Sequence, residues 1–252
     1  MQTRIWKNVP IVYRIFDFAY ESVKNQNIKP DFQGSRKDID IFVNLFQGKI
    51  AELAVLLELK KEGFPVSTNQ LDLTLRGRGS WDNGDIILKN KYGQDIYIDV
   101  KSIKGNSSNL LIETCRFNED GSLSYENCDG TKHYLDAYAL VRVDFSKNLF
   151  SYDFSKIEKG TFFEDLEIRT TFIGSITLKD FWEKKKFVPR GTICGKNNFN
   201  RIWNGQPFEM VEDETTITAE HKRTYCIQTD NYMVPFHILG NMHKVYRNSL
   251  KI

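Results

Sequence analysis

Residues 85–101 carry the pattern that most restricts how this chain can fold. Two short apolar runs, 86–88 and 96–100, flank the segment Lys91-Tyr92-Gly93-Gln94. Glycine readily adopts the positive φ that a turn requires, so the pattern predicts a β-hairpin. The sequence therefore predicts two paired strands whose open end carries charged residues.

Three charged residues lie at that open end: Asp85 on the first strand, and Asp99 and Lys101 on the second. The outer ends of an antiparallel pair lie opposite each other, and residues two apart share a face. Two carboxylates held close together repel, which raises the pKa of one of them unless a cation neutralises the pair. Mg²⁺ takes oxygen ligands and shares its shell with substrate phosphate, while a nearby lysine can contact the bound water. The arrangement suits metal-dependent hydrolysis of a phosphodiester.

The pattern of acid, any residue, lysine is common, and its surroundings decide what it means. The chain contains four such triplets, at 58–60, 99–101, 183–185 and 220–222. Only the triplet at 99–101 lies in a β-type apolar run with a second aspartate across a turn. Asp72 and Asp82 are rival candidates for the first acid, although neither opens an apolar strand.

Apolar periodicity predicts the remaining secondary structure. Helices are expected over residues 10–25, 37–62 and 178–186, with Gly48 either dividing the second helix or allowing close packing. Strands are expected at 64–68, 71–75, 110–114, 134–145 and 167–176, with short alternating runs at 215–218 and 225–227. The pattern indicates one α/β domain with a β-rich or irregular C-terminal part.

The composition is that of an ordinary folded protein, with 252 residues, 40% hydrophobic content and a formal net charge of +2. This charge neither indicates nor excludes a nucleic-acid binder. No signal-peptide core is evident, and no apolar run approaches the roughly 18 residues that a membrane span needs. The four scattered cysteines predict a cytoplasmic protein with reduced thiols, and a zinc site with His221 or His237 beside Cys226 is the alternative.

Asp85 followed by Asp99-Val100-Lys101 resembles the motif of the PD-(D/E)XK nuclease superfamily, and Lys49-Ile50-Ala51-Glu52 resembles that family's helical element. The naming proline is absent, since Gly84 precedes Asp85. The resemblance implies that Asp85, Asp99 and the main-chain oxygen of Val100 bind Mg²⁺. It also implies that Lys101 positions or activates water and that Glu52 adds a ligand directly or through water.

The family implies a mixed central sheet flanked by helices, here with a nuclease core at 37–186 and a C-terminal extension at 187–252 within a single domain 1–252. A stand-alone chain of this size is most similar to a type II restriction endonuclease, which would cut double-stranded DNA at a short site as a homodimer. The alternatives are a structure-specific repair or recombination nuclease and a non-catalytic DNA-binding protein. The likeness covers roughly residues 40–145.

Candidate DNA-contacting residues are basic or amide side chains suited to phosphates and base edges. They are Arg76, Arg78, Lys104, Arg190, Lys196, Asn197, Asn198, Asn200 and Arg201.

Overall fold

The computed structural model describes most of the chain. The described residues are 3–7, 9–24, 37–75, 85–103, 108–123, 135–189, 193–194, 225–226, 229–241 and 243–250. None of the helices in these ranges is both long and apolar enough to cross a membrane.

The described ranges contain both α-helices and β-strands. The α-helices are α1 (Pro10–Lys24), α2 (Asp38–Lys61), α3 (Lys159–Phe163) and α4 (Leu178–Lys184). The strands are β1 (Thr3–Trp6), β2 (Ile86–Lys89), β3 (Asp95–Ile103), β4 (Asn109–Glu113), β5 (Ala137–Phe145), β6 (Ile168–Thr177), β7 (Lys186–Val188), β8 (Ile193–Cys194), β9 (Tyr225–Cys226) and β10 (Asn231–Pro235).

The chain divides into two compact units. Unit 1 comprises Met1–Gly105, Glu126–Leu178 and Leu239–Ile252, and unit 2 comprises Asn106–Tyr125 and Lys179–Ile238. Residues 179–238 thus belong to unit 2, whereas the last residues of the chain belong to unit 1. All of the residues that the motif singles out as catalytic lie in unit 1.

Unit 1 is built on a five-stranded sheet with the strand order β1-β6-β5-β3-β2. The pair β3–β5 is parallel and the other three pairs are antiparallel, so the sheet is mixed. Helix α2 packs on β3, β5 and β6, and α1 packs on α2. The predicted fold class, an α/β fold with a mixed sheet flanked by helices and an irregular C-terminal part, is confirmed.

Most residues of α2 are buried, in keeping with its central place in unit 1. Phe42 and Phe46 are fully buried, and their rings meet those of Phe16 and Phe162 at centroid distances between 5.3 and 6.4 Å. Aromatic pairs at such separations contribute about 0.5–1.5 kcal/mol each beyond the area that they bury. This aromatic cluster fixes α2 against α1 and α3.

The predicted hairpin is present, and its turn has the expected chemistry. Gly93 adopts a φ of +81°, and the side-chain oxygen of Asn90 accepts hydrogen bonds from the backbone N–H groups of Tyr92 (2.9 Å) and Gln94 (3.0 Å). The turn sets a register in which Ile86 faces Ile98. Both isoleucines are buried in the core of unit 1.

The two strands predicted at 64–68 and 71–75 are wrong. The segment is irregular, with a 3₁₀ turn at Thr68–Gln70 in which Ser67 and Gln70 form a reciprocal capping box. Phe64 and Leu71 are buried, so their apolar character serves core packing from a loop. Such local side-chain bonds offer the backbone an alternative to strand pairing.

Smaller differences concern helix boundaries. Gly48 does not divide α2, and a Cβ at this position would meet nothing within 4 Å, so it does not permit a close approach either. The helix predicted over 178–186 ends at Lys184, and Lys186 already belongs to β7.

Unit 2 contains a three-stranded antiparallel sheet in the order β4-β10-β7 and a two-stranded pair, β8–β9. Phe117 packs beside Phe181, Trp182 and Tyr232, which gives this unit its own aromatic cluster. Gly121 adopts a φ of +86° directly against Trp182, where a Cβ would lie 2.6 Å from the indole ring.

Replacing Phe46 by alanine should lower the free energy of unfolding by about 3–5 kcal/mol, because it leaves a cavity at the centre of the α2 cluster. Urea denaturation followed by circular dichroism measures this loss. Phe150 is 38% exposed, so Phe150→Ala is a matched control that should cost less than about 1 kcal/mol. Equal losses in the two variants would contradict the central role of α2.

Candidate active site

Asp85 sits where the β2–β3 ladder stops. The last paired residues are Ile86 and Ile98, and continuing the register by one position brings Asp85 opposite Asp99. The Oδ2 atom of Asp85 accepts a hydrogen bond of 2.6 Å from the backbone N–H of Val100. A side-chain carboxylate thus takes the place of the next main-chain partner and is held beside the second strand.

Asp99 and Lys101 share one face of β3, as predicted. Their side chains form an ion pair with an Nζ–Oδ2 distance of 2.6 Å, and each side chain keeps part of its surface in contact with solvent. Ile98 and Val100 alternate with them and are buried in the core of unit 1. The alternation places the charged groups at the surface and anchors the strand by its apolar face.

The electrostatic environment of Asp85 is strongly unfavourable to its charged form. Burial and, secondly, the negative charge of Asp99 raise the pKa of Asp85 to about 7. The positive charges of Lys101 and Lys49 and the hydrogen bond from Val100 act in the opposite direction without cancelling the rise. A carboxylate pair of this kind is stabilised by an added cation.

Glu52 is buried on α2, one turn after Lys49, and the two side chains form an ion pair with an Nζ–Oε2 distance of 2.7 Å. The ammonium group of Lys49 also lies 5.8 Å from the centre of the Phe18 ring. Within the described residues, no three acidic, histidine or cysteine side chains gather closely enough to hold a metal ion. The structure therefore joins Asp85 to Asp99 but does not bring Glu52 to them as a third carboxylate.

Lys49 is the residue whose importance the motif did not indicate. Its charge reaches Asp85 across the contact between α2 and β3. A signal was present in the sequence, because a lysine inside a long apolar helix needs a partner, and Glu52 stands three residues later. The consequence for Asp85 depends on how the helix packs, which the spacing does not reveal.

The donor set at this end of the hairpin fits Mg²⁺. This ion is commonly held by one or two carboxylates and completes its shell with waters and substrate phosphate. Asp85 and Asp99 supply the two carboxylates. In a strand, the N–H and C=O of one residue point toward the same neighbour, so the carbonyl of Val100 faces the side on which Asp85 lies. The carbonyl of Val100 is thus directed to the strand edge at which Asp85 lies.

The other candidate residues divide into two groups. Asp72 caps its own turn, where its Oδ1 accepts a hydrogen bond of 2.9 Å from the N–H of Thr74. Asp82 and His221 lie outside the described residues, and so do all nine of the candidate DNA-contacting residues, from Arg76 to Arg201.

Comparison of the chain with models of known protein families, with curated proteins and with solved structures finds no match. The likeness to the nuclease superfamily consequently rests on the motif residues themselves.

Replacing Asp85 by asparagine should raise the melting temperature in EDTA at pH 8 by a few degrees. The wild-type protein keeps a proton on Asp85 up to about pH 7, whereas the unfolded chain loses it near the ordinary pKa of 3.8. The contribution of this group to stability therefore falls as the pH rises through that window. The amide of asparagine carries no charge and still offers an oxygen to Val100.

The rise in melting temperature on replacing Asp85 by asparagine should be larger at pH 8 than at pH 5. Differential scanning calorimetry at both pH values measures it. The exposed Asp95 at the other end of the hairpin provides the control, since Asp95→Asn should leave the melting temperature nearly unchanged. If Asp85→Asn had a lower melting temperature than the wild type at pH 8, the negative charge of Asp85 would not destabilise the fold.

Proposed function

We propose that this protein is a Mg²⁺-dependent endonuclease that hydrolyses phosphodiester bonds of double-stranded DNA. The observation that carries the proposal is the convergence of Asp85, Asp99 and Lys101 at one end of the hairpin. Two carboxylates held side by side at the end of a hairpin repel each other, and a bound cation would offset that repulsion. Both acids and the lysine are also in the order that the superfamily motif requires.

Each residue has a role that follows from its position. Asp85, which precedes β2, and Asp99 on β3 would hold the metal, and the backbone carbonyl of Val100 would add a further oxygen ligand. Mg²⁺ bound there would polarise a phosphate oxygen and lower the pKa of a bound water. Lys101, whose Nζ lies 2.6 Å from a carboxylate oxygen of Asp99, would donate hydrogen bonds to the attacking water or to the phosphate.

The placement of Lys101 is suited to charge that develops during the reaction. Its ammonium group is fixed by Asp99 before substrate arrives, so it needs little reorganisation when negative charge grows on the phosphate. The partial exposure of Asp99 and Lys101 allows a DNA backbone to approach them from solvent.

We further propose that the protein cleaves DNA at a short specific site, because the motif in a chain of this size most resembles that of a type II restriction endonuclease. Cutting both strands of a palindromic site would require two copies of the chain related by a two-fold axis. Each copy would then bring one Asp85–Asp99 pair to one strand of the DNA.

Supercoiled plasmid DNA incubated with the protein and Mg²⁺ should be converted to discrete linear fragments, and EDTA should prevent the reaction. Asp85→Asn, Asp99→Asn and Lys101→Ala should each reduce the cleavage rate by about 10²- to 10⁴-fold, since each removes a metal ligand or a group that contacts the reacting atoms. Gel mobility shifts in Ca²⁺ should show that the variants retain DNA binding.

The control uses the other end of the same hairpin, where Lys89 and Asp95 form an ion pair of 2.6 Å. Asp95→Asn should cleave like the wild type. Cleavage of branched DNA alone would replace the restriction role with that of a structure-specific nuclease. Absence of cleavage with any divalent metal would contradict the proposal as a whole, and wild-type activity in Asp99→Asn would contradict the site.

A further inference from the structure

The pair formed by Lys49 and Glu52 lies inside unit 1 on α2, the helix that packs on β3, and the charge of Lys49 acts on Asp85. Both residues are buried, and their ion pair of 2.7 Å is backed by the ring of Phe18. Burying two charges is expensive, and an ion pair in a protein interior often does no more than offset that cost. The buried Lys49–Glu52 pair is therefore expected to have a role other than stabilising the fold.

The charges of the site provide such a reason. Lys49 pairs with Glu52 and acts on Asp85, and Lys101 pairs with Asp99. These five linked groups carry one net negative charge when all of them are ionised. Addition of a divalent cation converts this to one net positive charge. A phosphodiester carries one negative charge, so the loaded site matches a single scissile phosphate.

We propose that Lys49 is a positioning residue that sets the affinity of the Asp85–Asp99 pair for its divalent metal. It does so in two ways, by its own positive charge and by holding Glu52 in an ion pair, out of the metal's reach. This inference rests on the proposed function, because it requires Asp85 and Asp99 to bind metal.

Without Lys49 the site would carry two net negative charges. It would bind a metal more tightly, but the loaded site would be neutral and would attract the phosphate less. Weak metal binding that tightens when substrate supplies a phosphate oxygen is the behaviour that the wild-type balance favours. Lys49 therefore lowers the affinity of the site for the metal and strengthens the attraction of the metal-loaded site for the substrate phosphate.

The test measures binding of Mn²⁺ alone, with the free ion counted by electron paramagnetic resonance, and competition by Mg²⁺, at pH 8 and without DNA. Glu52→Gln should weaken binding by about tenfold, because it leaves the positive charge of Lys49 without its neutralising partner. Lys49→Met should tighten binding by a similar factor. The double variant Lys49→Met with Glu52→Gln restores the wild-type net charge and should regain the wild-type affinity.

The double variant is decisive, and it removes both members of the buried pair, so it leaves no unpaired charge that could unfold the protein. If Glu52 acted only as a metal ligand, the double variant would bind as weakly as Glu52→Gln. If the pair were only structural, all of the variants that remain folded in EDTA by calorimetry would bind metal like the wild type. Either result would overturn the role of Lys49.

The failure of this inference is distinguishable from the failure of the proposed function. Wild-type protein that binds Mn²⁺ and loses this binding in Asp85→Asn, together with no dependence on Lys49, would overturn the inference and leave the metal site in place. Wild-type protein that binds no divalent metal would overturn both.

Discussion

The hydrogen bond from the N–H of Val100 to Asp85 is the interaction on which the geometry of the site depends. It extends the β2–β3 ladder by one step with a side chain in place of the main chain. Strand β3 is also paired with β5 along residues 98–103, so the donor belongs to a strand that is bonded on both edges. Asp85 is thereby held beside Asp99 by backbone that has little freedom to relax their repulsion.

This arrangement has a cost that the rest of unit 1 must offset. A carboxylate whose pKa is raised to about 7 by burial and by a second carboxylate contributes less to stability at neutral pH than it would in water. The aromatic cluster around α2 and the paired strands of the sheet supply the compensating packing. Natural sites often sacrifice stability in this way when the strained group is needed for function.

Much of this fold follows from local pattern in the sequence. The hairpin could be predicted because Gly93 and the alternation of the two strands are local signals, and α2 because its apolar periodicity is long. The loop at 64–75 could not, because Phe64 and Leu71 are apolar for reasons of core packing while Ser67 and Gln70 satisfy the backbone locally. Apolar residues in a short run do not by themselves distinguish a strand from a buried loop.

The electrostatic environment of the site likewise could be predicted only in part from the sequence. The two aspartates and Lys101 belong to a single hairpin, so their proximity follows from strand register alone. Lys49 precedes Asp85 by 36 positions, and its influence arises only because α2 packs on the sheet. A motif records which residues can bind metal, whereas the balance of charge around them is a property of the packed core. For this reason the charge that reaches Asp85 from α2 could not be predicted from the spacing of the motif.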